Sequence, residues 1–279
     1  MHEKRGTSVL TSLFTNKYLS KSKRAQVTIF IIIAILIIGA AVTIYMLVPK
    51  AETQAVFDAG NPQGFIQTCL EEEIEKTVDL VSSQGGSVVP EFFFNYQGDS
   101  IEYLCYTAEN YATCVVQQPL LKQHIEKEIK QDISEEVESC FSNLQENYRN
   151  NGYNANLQTG RTTVELLPKR IVTNFGDYVL TISKGETARH DSFSVILNNN
   201  LYELTSIANS IIEWETRYGN AETTLYMNYY KDLKVEKKTQ QDGTTIYILT
   251  DRNTGSKFQF ASRSVVFPPG YGIEGIAID

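Results

Sequence analysis

The sequence predicts an α+β protein: a long N-terminal transmembrane helix followed by an extracellular domain of mixed helices and antiparallel sheet. Three observations predict it. Residues 27–48 form an uncharged, proline-free run of 22, closed by Pro49 and Lys50. As a helix rising about 1.5 Å per residue, this run spans roughly 33 Å, the thickness of a bilayer's hydrocarbon core. Downstream, two long stretches carry apolar residues at helical spacing. Between and after them lie short runs rich in Val, Ile, Tyr and Phe, separated by Asn, Gly and Asp, and the chain holds 16 Tyr and 13 Phe; both features favour strands.

Charge orients the apolar run. Residues 1–25 hold Lys4, Arg5, Lys17, Lys21, Lys23 and Arg24 against Glu3, a net +5, and the whole chain is −8, so the remainder sums to −13. A short basic flank stays on the cytoplasmic side. The expected layout is a cytoplasmic basic leader (1–25), a transmembrane helix (26–48), a helix-rich part with a β-hairpin (49–150) and a β-rich part (151–279), with the C-terminal domain outside the cell membrane. The lipid bilayer is then a partner. The acidic exterior argues against nucleic acid, which needs a basic patch.

The junction reads Lys23-Arg24-Ala25-Gln26-Val27-Thr28-Ile29-Phe30. A basic residue, a small residue and Gln directly before a long apolar helix resembles the class III signal of archaeal type IV pilin-like proteins. The resemblance covers those eight residues and the apolar run. It implies cleavage between Ala25 and Gln26 by a prepilin-peptidase-like protease, and self-association through the retained helix. In that family an acidic residue often stands early in the mature helix; here Phe30 occupies about that place.

The cysteines, Cys69, Cys105, Cys114 and Cys140, all lie in the proposed external part. An even count in an oxidising compartment suggests two disulfides, with three possible connectivities. The favoured pairing is Cys69–Cys140, on two helices expected to pack, with Cys105–Cys114 as a local bridge. Four buried thiols are the alternative. No pair has the spacing of a zinc site.

Asn61-Pro62 marks a helix start, Asn as cap and Pro in the first turn. Ile66, Leu70, Ile74, Val78 and Val81 continue it, and Gly85-Gly86 ends it. Glu71, Glu72, Glu73 and Glu75 read as a solvated face. Phe92–Phe94 and residues 101–106 flank the turn composition Gln97-Gly98-Asp99-Ser100, predicting a hairpin packed on the neighbouring helix. From Pro119 a single helix is expected, with Leu121, Ile125, Ile129, Ile133, Val137 and Phe141 recurring every four residues and the 62–84 helix as its partner face. His124 reads as a lone surface histidine.

After Asn150-Asn151-Gly152, a candidate subdomain boundary, strands are expected at 156–158, 162–167, 170–175 and 178–183. A polar loop (184–192) follows, then a strand over 192–197. A helix runs from Leu201 to Gly219, with Trp214 in its partly buried side. Residues 225–230 fit helix or strand. Strands at 233–237 and 245–250, joined through Asp242-Gly243, precede one at 258–262. The tail beyond Phe267 reads as loosely held.

Catalytic signatures are missing from the sequence. His190-Asp191-Ser192 is the one meeting of those three types, and neighbours along a strand face opposite ways. The sequence contains no P-loop, no H-E-x-x-H and no G-x-S-x-G. The expectation is therefore no catalytic, metal-ligating or cofactor-binding residue and no enzyme activity. The leading function is a pilin-like structural, adhesion or accessory subunit at the cell surface. The second is a signal-anchored binding or sensor module, which predicts a pocket lined by several exterior aromatics.

Overall fold

The computed structural model describes residues 30–40 and 57–267. Contact density separates a unit ending at Glu52 from one beginning at Thr53. In the first, residues 30–40 are helical (α1) and every one of them is exposed. Here the expected fold class needs correction: among the described residues no helix is long and apolar enough to cross a membrane. The rest of the expected 26–48 span, with Ala25 and Gln26, lies outside the described residues.

The second unit is α+β. Its helices are α2 (Pro62–Ser83), α3 (Leu121–Asp132), α4 (Ser134–Asn150), α5 (Leu201–Tyr218) and α6 (Thr223–Tyr229). Its strands are β1 (Phe93–Tyr96), β2 (Asp99–Tyr106), β3 (Val115–Val116), β4 (Asn154–Gln158), β5 (Arg161–Leu167) and β6 (Arg170–Gly176). They continue with β7 (Val179–Lys184), β8 (Glu186–His190), β9 (Phe193–Asn198), β10 (Leu233–Thr239), β11 (Thr244–Asp251) and β12 (Lys257–Arg263). The largest sheet runs β1-β2-β12-β11-β10, with β3 also on β2; the others run β4-β7-β8 and β5-β6-β9. The antiparallel expectation holds except at one seam, where β12 lies parallel to β2, Ala261 beside Tyr103 and Arg263 beside Tyr106.

α2 forms where Asn61 and Pro62 predict. The Asn61 side chain accepts from the Gly64 amide at 2.9 Å, filling one of the unpaired donors of the first turn. Ile66, Leu70, Ile74, Val78 and Val81 are all buried. Beyond it, Gly85 and Gly86 take positive φ. A side chain at Gly85 would meet Glu102 at 2.9 Å.

The helix expected from Pro119 is two helices, broken at Ile133. A four-residue repeat drifts about 40° per step around an α-helix. Six apolar residues in such a stripe wind too far to face one core. The break re-aims the second half, so Leu121, Ile125, Ile129, Ile133, Val137 and Phe141 are all buried. Cys69–Cys140 then joins α2 to α4, and Cys105–Cys114 closes the loop after β2, the pairing the sequence favours.

Three other local readings are refined. The 184–192 loop contains β8, paired only to β7 and too exposed to show alternation. Residues 225–230 belong mostly to α6. The β1–β2 hairpin turns on Gln97-Gly98, both with positive φ. Its β2 strand packs into the main core with the helices through Leu104 and Cys105, and also forms a small cluster of Ile101 and Tyr103 with Ile246 and Ala261, where Phe92 stacks on Tyr103 at 4.7 Å. The main core runs from α2 through α5 and takes in residues on both sides of Asn150.

Candidate functional site

α5 carries two faces. Leu204, Ala208, Ile211 and Ile212 enter the core. Trp214 and Tyr218, one turn apart, stand outside that stripe, 39% and 64% exposed, with ring centroids 4.9 Å apart. Trp214 is therefore partly covered, as expected, but stands outside the core. α6 has no buried residue at all, yet it is capped at its start and tied to α5 from its middle. Glu222 accepts from the Thr224 amide at 2.9 Å, and Tyr226 shares a 2.7 Å hydrogen bond with Ser210 of α5.

A buried carboxylate sets the approach to α6. Glu215 is 3% exposed. It receives the Ala221 amide at 3.1 Å, the Ser262 hydroxyl at 3.3 Å and the Tyr247 hydroxyl. These bonds compensate a burial that would otherwise be costly. Burial, then the adjoining Glu215 carboxylate, pushes the Tyr247 phenol up. Lys237, lying over the Tyr247 ring, is pushed down by burial against the pull of Glu215 and Glu222.

Between α5, α6 and the start of β10 lies a groove of about 480 Å³, lined by Tyr202, Glu203, Tyr226, Tyr230, Asp232 and Asp251, with Lys169 and Lys231 at its edges. Each carboxylate has a distinct state. Asp251 accepts from the Asn253 and Thr254 amides and, at 2.7 Å, from Asn200. Burial raises its pKa, and these donors overcome that and leave it lowered. Glu203 accepts the Lys169 amide at 2.9 Å through Oε1, whereas its Oε2 is buried with no hydrogen-bond partner. A second hollow of about 420 Å³ shares Ser210, Tyr226 and Tyr230 and adds Trp214, Glu222, Leu225 and Tyr229. A third, beside Trp214, adds Glu213, Arg217 and Tyr218. The three adjoin through shared lining residues along α5 and α6, and are referred to together as a trough.

A second constellation lies elsewhere. Ser87, 4% exposed, bonds Glu102 Oε2 at 2.5 Å and His124 Nε2 at 2.7 Å. Gln118 donates to Glu102 Oε1 at 3.3 Å, and Glu128 accepts the Val88 amide at 2.9 Å. His124 is thus half-buried and partnered, not a lone surface histidine; the Gly85-Gly86 turn folds Ser87 back onto α3. The residue types are those of a nucleophilic relay, but the order is wrong. A relay needs the carboxylate on the far nitrogen of the imidazole and an open hydroxyl. Here both groups converge on a buried hydroxyl, which makes a tie between the α2–β1 loop, β2 and α3.

His190, Asp191 and Ser192 are not brought together: Asp191 pairs with Arg189 at 3.4 Å. Glu72 and Glu73 pair with Lys76 on an open face. Among the described residues, no group of three His, Cys, Asp or Glu side chains is placed to hold a metal ion.

No family model, curated protein or solved structure matches this chain.

The trough was legible only in part. Trp214 and Tyr218 fall outside the apolar stripe of α5, and Tyr226, Tyr229 and Tyr230 repeat at helical spacing on a segment with no core stripe. Those two signals mark an aromatic surface. That they share one face depends on how Glu215 draws Ala221 inward.

Proposed function

We propose that residues 57–267 form an extracytoplasmic binding module of a cell-surface protein, and that the α5–α6 trough is its binding surface. The trough carries this reading: six aromatic residues in linked hollows, three of them tyrosines in a groove large enough for a small molecule or one unit of a polymer. Tyr and Trp recur at recognition surfaces because they combine a large apolar face with a polar tip. Two disulfides within one domain suit an oxidising compartment. The test is binding of the purified full chain to cell envelopes of its source organism. The double variant Tyr226→Ala/Tyr230→Ala should lose at least tenfold in affinity with its circular dichroism unchanged. Binding that the double variant retains in full would refute the trough as the binding surface.

A pilin-like structural subunit is the second reading. The observation favouring it is α1, whose uncharged residues 30–40 are exposed all round and suit self-association. Sedimentation of the full chain with Leu36→Glu tests it: an unchanged oligomeric state removes this reading.

A further inference from the structure

We infer that the trough takes a neutral, linear oligosaccharide. This rests on the reading of the trough as the binding surface and names its ligand class. Neighbouring hollows share Tyr226, Tyr230 and Trp214 as lining residues, so one extended ligand can touch more than one of them. A pyranose ring offers a flat C–H face for an aromatic ring and a rim of hydroxyl groups. The trough offers the complement of both. Tyr229 is 80% and Tyr230 48% exposed, leaving ring surface available.

Its polar groups are mainly acceptors. Glu203, Asp232 and Asp251 line the first hollow, and Glu222 lines the second. A proline-rich peptide, the other ligand suited to aromatic grooves, supplies carbonyl acceptors and few N–H donors, so it matches poorly. Charge excludes the extremes. Lys169 and Lys231 nearly balance the three carboxylates of the first hollow, and Arg217 pairs with Glu213 in the third. That balance gives a polycation little net attraction, and the −8 chain repels a polyanion. What remains is uncharged, donor-rich and apolar on one face.

Trp214 is the one tryptophan of the chain, so its emission reports on this surface alone. The full chain is titrated with cellohexaose, maltohexaose and chitohexaose, each beside its disaccharide, and with decaproline and spermine. We expect a saturable emission change with at least one hexasaccharide, at least tenfold weaker for its disaccharide. Tyr229→Ala and Glu203→Gln should each weaken it about fivefold or more, while Tyr111→Ala, outside the trough, leaves it unchanged. No binding by any of the hexasaccharides, in fluorescence and in calorimetry, overturns the inference, and a response to decaproline or spermine alone does the same in favour of a peptide or a polyamine. The envelope-binding assay separates the two failures. If Tyr226→Ala/Tyr230→Ala abolishes envelope binding and no glycan binds, only the ligand class is wrong; if envelope binding is untouched, the trough itself is wrong.

Discussion

The Gln67 side chain completes the edge of a sheet by bonding both backbone groups of Ile196: its Oε1 accepts the Ile196 amide at 3.2 Å and its Nε2 donates to the Ile196 carbonyl at 3.4 Å. One turn earlier on α2, Gln63 treats Ser194 in the same way, accepting its amide at 3.1 Å and donating to its carbonyl. Across the same sheet, Glu126 of α3 accepts the Leu166 amide of β5 at 2.8 Å. Gln145 and Arg149 of α4 donate to the Ala155 carbonyl of β4. Helical side chains thus occupy strand edges that would otherwise invite pairing with another chain.

The double variant Gln63→Ala/Gln67→Ala should lose about 1–2 kcal/mol, the scale of two modest hydrogen-bonded pairs at a partly open edge. Urea denaturation measures the loss. Light scattering at matched folded fraction should show faster association, because the β9 edge is then bare.

The two disulfides should differ in worth. Cys69–Cys140 closes a separation of 71 residues and Cys105–Cys114 one of 9. Chain-entropy arguments give about 4 kcal/mol for the first and about 2.5 kcal/mol for the second. Cys69→Ser/Cys140→Ser should therefore lower the denaturation midpoint more than Cys105→Ser/Cys114→Ser. The reverse order would show that the second bridge acts through the native contacts of Cys114 with Ser262 and Ser264.

Ser87→Ala should cost about 2–3 kcal/mol, since it leaves Glu102 buried and His124 without its partner. Ser87→Thr keeps the hydroxyl and should recover part of the loss. Thermal melts of the full chain decide between them. A Ser87→Ala protein as stable as the parent would show that the Ser87 tie adds nothing.

Asp251 should contribute to acid sensitivity. Its folded-state pKa is lowered below the ordinary 3.8: burial opposes the shift, and the Thr254 and Asn253 amides with Asn200 outweigh it. A lowered carboxylate stabilises the fold above its unfolded value, and that stabilisation disappears as pH falls through the folded one. Melting temperature should drop below about pH 4 in the parent and drop less in Asp251→Asn.

The sequence made α2 legible from cap to terminus because the signals there are local: Asn61, Pro62, a stripe, two glycines. The disulfide pairing was legible because it followed from that stripe and the one starting at Leu121. The break at Ile133 was not, because a four-residue spacing looks like one helix until its drift is followed over six residues. β8 carries no alternation, since neither of its faces is buried. His124 looked solitary because its partner, Ser87, comes from a loop 37 positions away. The transmembrane expectation rested on the apolar run of residues 27–48, of which residues 30–40 alone are described, and no helix among the described residues is long and apolar enough to cross a membrane.

The parallel seam between β2 and β12 governs the order in which a ribosome can deliver this fold. β12 comes last among the described strands yet sits inside the sheet, with β11 on one side and β2 on the other. Until residue 263 has emerged, β2 waits with one side open, and β10 and β11 have no route to it. The nascent domain must therefore be held unfinished through almost its whole synthesis. A nonsense codon shortly before β12 would remove the middle of the largest sheet and not merely its margin.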